Sequence, residues 1–423
     1  MESVTSWHLD QEAGLPFESP RSVTSIGEMV PLLTDFYQRL WWSCPLDPPE
    51  FERDFTPARQ VDHEKRLETL LGEVKHIPQP AGERSAWLQR LRPTLGQFAR
   101  DILNLEPHHL AYIETTGLLA AGRSFGGMAR QFDPRISAAD IYQAGRNVSV
   151  ANLIQLLLGL PVCITPSIFA YSMLYPYTDN YLDDPGVPAE TKRGFNQRFY
   201  HRLMGEPMEP ANEVEAIINS LIRMIESEWD RACHPQVYDS LLAIHRAQAR
   251  SLELVAAELS PFERDILGIS FEKGGTSVLA DGYLVAGTLT AGQERVLFGF
   301  GALTQLMDDL EDTRSDRLAK RASLFSVTVP TWKLDNLSYR FIHFGRRIVT
   351  DLNAFDAPQV PLLAEVMATC ADIILLNPIS QAAEYFSPAG LAQLEGHMPF
   401  RFTALNRLRK KSRLRPLLDA VFA

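Results

Sequence analysis

The stretch SMLYPYTDNYLDDPG, residues 172–186, joins an apolar run to three clustered carboxylates, Asp179, Asp183 and Asp184. From Asn147 to Thr178 there is no Asp, Glu, Lys or Arg. At about 100° of rotation per residue, Asp179 and Asp183 share one helix face, with Asp184 roughly a quarter turn away. Pro185-Gly186 ends the helix, so these carboxylates stand at the negative end of its dipole. Each costs a few tenths of a kcal/mol there, and like charges one turn apart add to the penalty. A cation has to compensate them.

The uncharged run is longer than the roughly 20 residues a bilayer span requires. It also holds Asn152, Gln155, Pro161, Pro166, Ser167, Ser172 and Pro176. It reads as two buried helices broken near Leu160–Pro161, and no transmembrane span is expected.

A second cluster repeats the pattern. GFGALTQLMDDLEDTRSDR, residues 299–317, carries Asp308, Asp309, Glu311 and Asp312 directly after an uncharged helical run from Val296 to Met307. On a helical wheel Glu311 falls about 60° to one side of Asp308 and Asp312 about 40° to the other, so these three share a face. Clusters of hard oxygen donors suit divalent cations that in turn hold phosphates. A calcium loop starting at Asp179 fails, because Tyr181 falls on a ligand position and Asp184 where the loop's glycine belongs.

The rest of the chain sets the frame. It has 423 residues, 45% hydrophobic and 22% charged, which is ordinary globular composition. A net charge of −11 argues against a nucleic-acid surface. Cys44, Cys163, Cys233 and Cys370 are far apart, with neither a zinc-type pair nor a disulfide frame, and MESVTSWHLDQEAG has no apolar signal core. A cytoplasmic protein is expected, and a homodimer is compatible with this reading. Residues 1–58, with seven prolines and one helix-like piece, GEMVPLLTDFYQRLWW, read as an extension and linker packing onto the main body. Residues 59–423 show apolar positions at three- and four-residue spacing almost throughout, and no hairpin signals. The fold expected is all-α, one large helical bundle.

Asp-rich motifs on two helices resemble those of the class I isoprenoid synthase superfamily, the prenyl diphosphate synthases, squalene and phytoene synthases and class I terpene cyclases. GALTQLMDDLED resembles the second prenyl synthase motif, G-x-x-x-Q-x-x-D-D-x-x-D, through Gly301, Gln305, Asp308, Asp309 and Asp312. It equally fits the squalene-type D-x-x-E-D through Asp308, Glu311 and Asp312. DNYLDD departs from D-D-x-x-D at Asn180 and is closer to the squalene-type D-x-x-x-D-D. The resemblance covers residues 140–423 and implies the helical bundle of class I terpenoid synthases. It also implies three Mg2+ ions bridging the two motifs and an allylic prenyl diphosphate as substrate. On that reading Asp179, Asp183, Asp308, Asp309 and Asp312 are catalytic and hold metal, with Asp184 and Glu311 as further ligands.

Lys273, in FEKGGTSVLADGYL, stands near the place of the prenyl synthases' diphosphate-binding Lys-Thr pair. Gly274-Gly275 beside it would kink a helix facing substrate, as in terpene cyclases. Lys192-Arg193-Gly194 resembles the Arg-Arg-Gly that follows the first prenyl synthase motif, and Arg264 has the spacing of the cyclases' diphosphate-sensing arginine. Tyr175 and Tyr171 lie one and two turns before Asp179 and would wall the hydrocarbon cavity, with Gln305 and Phe271, and Tyr283 as a further aromatic. The C-terminal segment RFTALNRLRKKSRLRPLLDAVFA has seven basic residues in 401–415. It would close over the diphosphate, touch an anionic membrane peripherally, or form a solvated helix, and its Arg401-Phe402 only partly matches the cyclases' Arg-Tyr.

The basic G-G-K-x-x-R-P signature of chain-elongating enzymes has only GRSFGGMARQFDPR as a counterpart, without the lysine. This favours a terpene synthase that ionises one allylic diphosphate and cyclises or rearranges the cation. A chain-elongating or head-to-head prenyltransferase is the alternative enzyme, and a non-catalytic partner subunit of a prenyl synthase the alternative of another class.

Overall fold

The computed structural model describes residues 25–74, 81–184, 186–255 and 264–410. Every regular element among them is helical, and the lone strand-like pairing is an isolated bridge between Val255 and Arg321. Helices α1 (Ile26–Ser43), α2 (Pro57–Val74), α3 (Ala81–Leu103), α4 (Pro107–Thr115) and α5 (Leu118–Phe132) come first. The centre follows: α6 (Ala138–Leu157), α7 (Pro166–Asp183), α8 (Ala189–Leu203), α9 (Glu213–Glu228), α10 (Pro235–Ser251), α11 (Ile266–Ala286) and α12 (Ala291–Glu311). Then come α13 (Thr313–Ala319), α14 (Leu324–Thr328), α15 (Asp335–Thr350), α16 (Val360–Gln381), α17 (Pro388–Glu395) and α18 (Phe402–Lys410).

The uncharged run divides as its composition dictates. α6 ends at Leu157, and Thr165 caps α7 by accepting the Ile168 N–H, with Pro166 at the first helical position where its missing donor costs nothing. Thr290 and Gln293 form a reciprocal capping box at the start of α12. α11 is predominantly apolar and buried over most of its length, as befits the central helix of a bundle.

Gly274-Gly275 does not break α11, which runs as one continuous helix through both residues. The pair instead lets α11 and α12 touch along their backbones. A Cβ at Gly274 would overlap the Gly301 carbonyl oxygen, one at Gly301 would overlap that of Gly274, and one at Gly275 would stand 2.5 Å from the Phe298 ring. Close approach, not a helix break, is the reason for glycine here.

The helix of the N-terminal extension belongs to the central core. Leu33 and Trp41 of α1 are fully buried, and Tyr37 donates to the Arg295 carbonyl of α12 at 2.7 Å beside Gly299. Phe271 is fully buried too, its ring stacked on Phe344 of α15 at 5.5 Å. It is therefore a core residue between α11 and α15 and does not line the cavity expected for it. Among the described residues one helix, α16, is long and apolar enough to cross a membrane by length and composition. It packs on α15, α12 and α18.

Candidate active site

The two acidic clusters, far apart in sequence, meet. Asp179 from α7 and Asp308, Asp309 and Asp312 from α12 line one cleft of about 240 Å³, together with Lys273 of α11 and Gln305. The glycine contact between α11 and α12 sets Lys273 and Ser270 beside the acidic end of α12.

The carboxylates differ in environment. Asp309 is buried, its Oδ2 accepting from Ser270 Oγ at 2.9 Å and its Oδ1 from Gln305 Nε2 at 2.8 Å. Burial pushes its carboxyl up to about 6, against the pull of those two hydrogen bonds and of Lys273. Asp308 is more open and accepts from the Arg146 guanidinium of α6 at 2.8 Å. Asp312 ends α12 and begins α13; burial and the charge of Asp308 raise its pKa.

Four residues beyond Asp312, buried Asp316 also lines the cleft. Burial raises its pKa, while a hydrogen bond from Ser323 and the charge of Arg321 oppose the shift. Asp316 escapes the motif reading, although Asp308, Asp312 and Asp316 recur at four-residue spacing and so share a face. Arg146, Ser270, Arg321, Ser323 and His245 likewise join the site only in three dimensions.

Other expected residues lie elsewhere. Asp184 is exposed and turns back to accept the Gly186 N–H at 2.7 Å, outside the cleft lining. Glu311 also stays outside it, hydrogen-bonded to Gln381 and under the charge of Arg409, with burial raising its pKa. Lys192 and Arg193 lie in the opening turns of α8 and do not line the cleft. Arg264 is exposed and faces Glu253 at 3.8 Å. Arg401 forks onto Glu64 at 2.6 and 2.8 Å, which ties the start of α18 to α2. The side chain of Asp183 and residues 411–423 lie outside the described part of the chain.

Behind the cleft is an apolar chamber of about 40 Å³ lined by Tyr171, Leu174, Tyr175, Leu203, Leu241 and Ile244. Thr178, Phe199, His245 and Gln248 line both spaces. The two tyrosines meet edge to face at 5.4 Å, and their hydroxyls converge on Ser277: Tyr175 Oη at 2.5 Å from its Oγ, Tyr171 Oη donating to its carbonyl at 3.2 Å. Burial pushes both phenols well up. Tyr283 is not here; it donates to Glu294 in a separate cavity at the start of α12.

His108, His109 and Glu365 form a distant group with metal-ligand chemistry. His109 Nδ1 accepts the Glu106 N–H at 3.1 Å, which leaves its proton on Nε2, facing Glu365 at 3.3 Å. That proton occupies the lone-pair position a metal would need, so the group caps α4 and ties it to α16.

No protein-family model matches the chain, and no curated protein matches it either.

Proposed function

We propose that the chain is a Mg2+-dependent class I terpene synthase, which ionises an allylic prenyl diphosphate and cyclises or rearranges the resulting cation. The observation that carries the reading is the junction of a carboxylate cleft, fed by α7 and α12, with an apolar chamber walled by aromatic rings. A polar headgroup and a hydrocarbon tail on one substrate need such a pair of spaces.

The cleft fits the metal. Its aspartates offer only oxygen, the donor that hard divalent cations take. Burial, with mutual repulsion, holds Asp309, Asp312 and Asp316 above the ordinary carboxyl range, as expected where acids crowd without enough positive charge. Asp179, Asp308, Asp312 and Asp316 would hold Mg2+, which supplies charge against the leaving diphosphate. Lys273 offers a fixed cation for the same oxygens. The apolar lining of the chamber would face the hydrocarbon where it meets the cleft, and the rings of Tyr171 and Tyr175 would favour positive charge there by about 0.5–2 kcal/mol.

The test is a product assay with Mg2+ and geranyl, farnesyl or geranylgeranyl diphosphate, with and without isopentenyl diphosphate. Cyclic or rearranged product from one allylic diphosphate alone, lost in EDTA and in Asp179→Ala and Asp308→Ala variants that still fold, supports the reading. Product formed only with isopentenyl diphosphate makes it a chain-elongating prenyltransferase. Full activity in both alanine variants removes the site assignment.

A further inference from the structure

Leu318 and Trp332 are the most exposed large hydrophobic residues in the described part of the chain, with 79% and 71% of their surface in solvent. Both lie in TRSDRLAKRASLFSVTVPTWK, residues 313–333, directly after the second acidic cluster. This stretch holds Arg314, Arg317, Lys320, Arg321 and Lys333, and Asp316 is its one acid. α13 sorts them by face. Thr313 and Asp316 are buried on its inner side, Asp316 in the cleft, while Arg314, Arg317 and Leu318 are exposed.

Tertiary contacts join the two apolar side chains into one surface. Arg314 faces Glu384 at 3.9 Å, and Lys333, next to Trp332, donates to the Glu384 carbonyl at 3.4 Å. Arg317 stands 5.8 Å over the ring of the adjacent Tyr385. On the other flank Val255 pairs with Arg321, and Ala322 donates to the Leu254 carbonyl at 2.8 Å. That brings in Leu252 and Val255, both exposed and both lining the cleft.

The charge on this surface is not balanced. Glu253 and Glu384, the acids beside it, already face Arg264 and Arg314. Arg317, Lys320 and Lys333 have no carboxylate partner among the described residues, in a chain whose net charge is −11. A single exposed apolar residue needs no explanation. A tryptophan and a leucine set among uncompensated cations have the composition that binds an anionic lipid surface.

We propose that this face docks on an anionic membrane. Trp332 and Leu318 enter the headgroup region, and Arg317, Lys320 and Lys333 meet the lipid charges. Docking sets the cleft rim at Leu252 and Val255 against the bilayer surface, where molecules with a charged head and an apolar tail reside.

Co-sedimentation of the full chain with phosphatidylcholine vesicles, with or without about one-third phosphatidylserine, tests this. Binding is expected to the phosphatidylserine vesicles. It should fall about 20-fold in Lys320→Gln with Lys333→Gln, near fivefold per charge removed. It should fall by about tenfold or more in Leu318→Ser with Trp332→Ser. All four side chains are exposed, so both variants should keep the wild-type circular dichroism. Vesicle binding is read without any substrate, so it stands apart from the chemistry of the cleft. A wild type that stays in the supernatant overturns the proposal. Undiminished binding in either variant also overturns it and gives the contact to another part of the chain. A dimer in ultracentrifugation that the serine variant loses, with no vesicle binding, overturns it in favour of a second copy.

Discussion

Arg146 of α6 donates to Asp308 Oδ1 of α12 at 2.8 Å, across 162 positions of sequence. Each side chain keeps about half of its surface in solvent, so the pair adds at most about 1 kcal/mol to stability. Its importance is positional, since the guanidinium occupies an oxygen that a cation would take. Arg146→Gln should therefore tighten Mg2+ binding to the diphosphate-free protein by roughly two- to fivefold, in line with an exposed pair of that strength. Isothermal titration measures it. Weaker binding would mean that Arg146 orients Asp308 for metal and does not compete with it.

Asp316 and Asp184 separate the three-dimensional site from the motif. Asp316→Asn should lower kcat/KM for an allylic diphosphate by about 100-fold, roughly 2.7 kcal/mol of transition-state stabilisation. Asp184→Asn, which alters a turn outside the cleft lining, should cost far less. Equal losses would show that the turn after α7 moves into the site with substrate.

Gly301 offers a test in which propensity and packing have opposite signs. Alanine is better than glycine in a helix interior by about 1 kcal/mol. At Gly301 the added methyl would meet the Gly274 backbone, and overpacking of this kind costs about 1–3 kcal/mol or more. Gly301→Ala should thus destabilise the protein in urea unfolding and weaken turnover, because Lys273 and Ser270 shift away from Asp309. A stabilised variant would refute the close-contact account.

Asp281 predicts a pH dependence of stability. Its Oδ1 accepts from Asn147 Nδ2 at 2.9 Å, its Oδ2 has no partner, and burial raises its pKa well above the ordinary aspartate value. The folded state therefore holds a proton that the unfolded chain releases above about pH 4. Stability is fully present below that unfolded pKa and declines as pH rises toward the folded one, by up to about 1.4 kcal/mol per pH unit. Asp281→Asn mimics the neutral acid, so its stability relative to wild type should grow from pH 4 toward neutrality. A pH-independent difference in urea midpoints would show that Asp281 is charged in the fold.

The helices themselves were legible. Three- and four-residue spacing, the cap at Thr165 and the prolines at 161 and 166 are local signals, and α6 and α7 follow them. The clusters around Asp179 and Asp308 were legible as well, because carboxylates crowded at a helix end have a local electrostatic cost. Phe271 was not: an aromatic at helical spacing can face a cavity or a neighbouring helix, and only the position of Phe344 decides which.

The sequence by itself determined an all-helical chain with two carboxylate-bearing helix ends, since backbone periodicity, capping and charge density depend on neighbours within a few residues. The tertiary structure alone decided which carboxylates share a cleft. A helical wheel gives angles within one helix but not the direction of its partner, so it could not say that Ser270 holds Asp309 and Arg146 holds Asp308. Nor could it place Glu311 against Gln381, or bring Asp316 and His245 to the site. Those outcomes depend on how closely α11 and α12 approach, which the backbone contact between Gly274 and Gly301 sets.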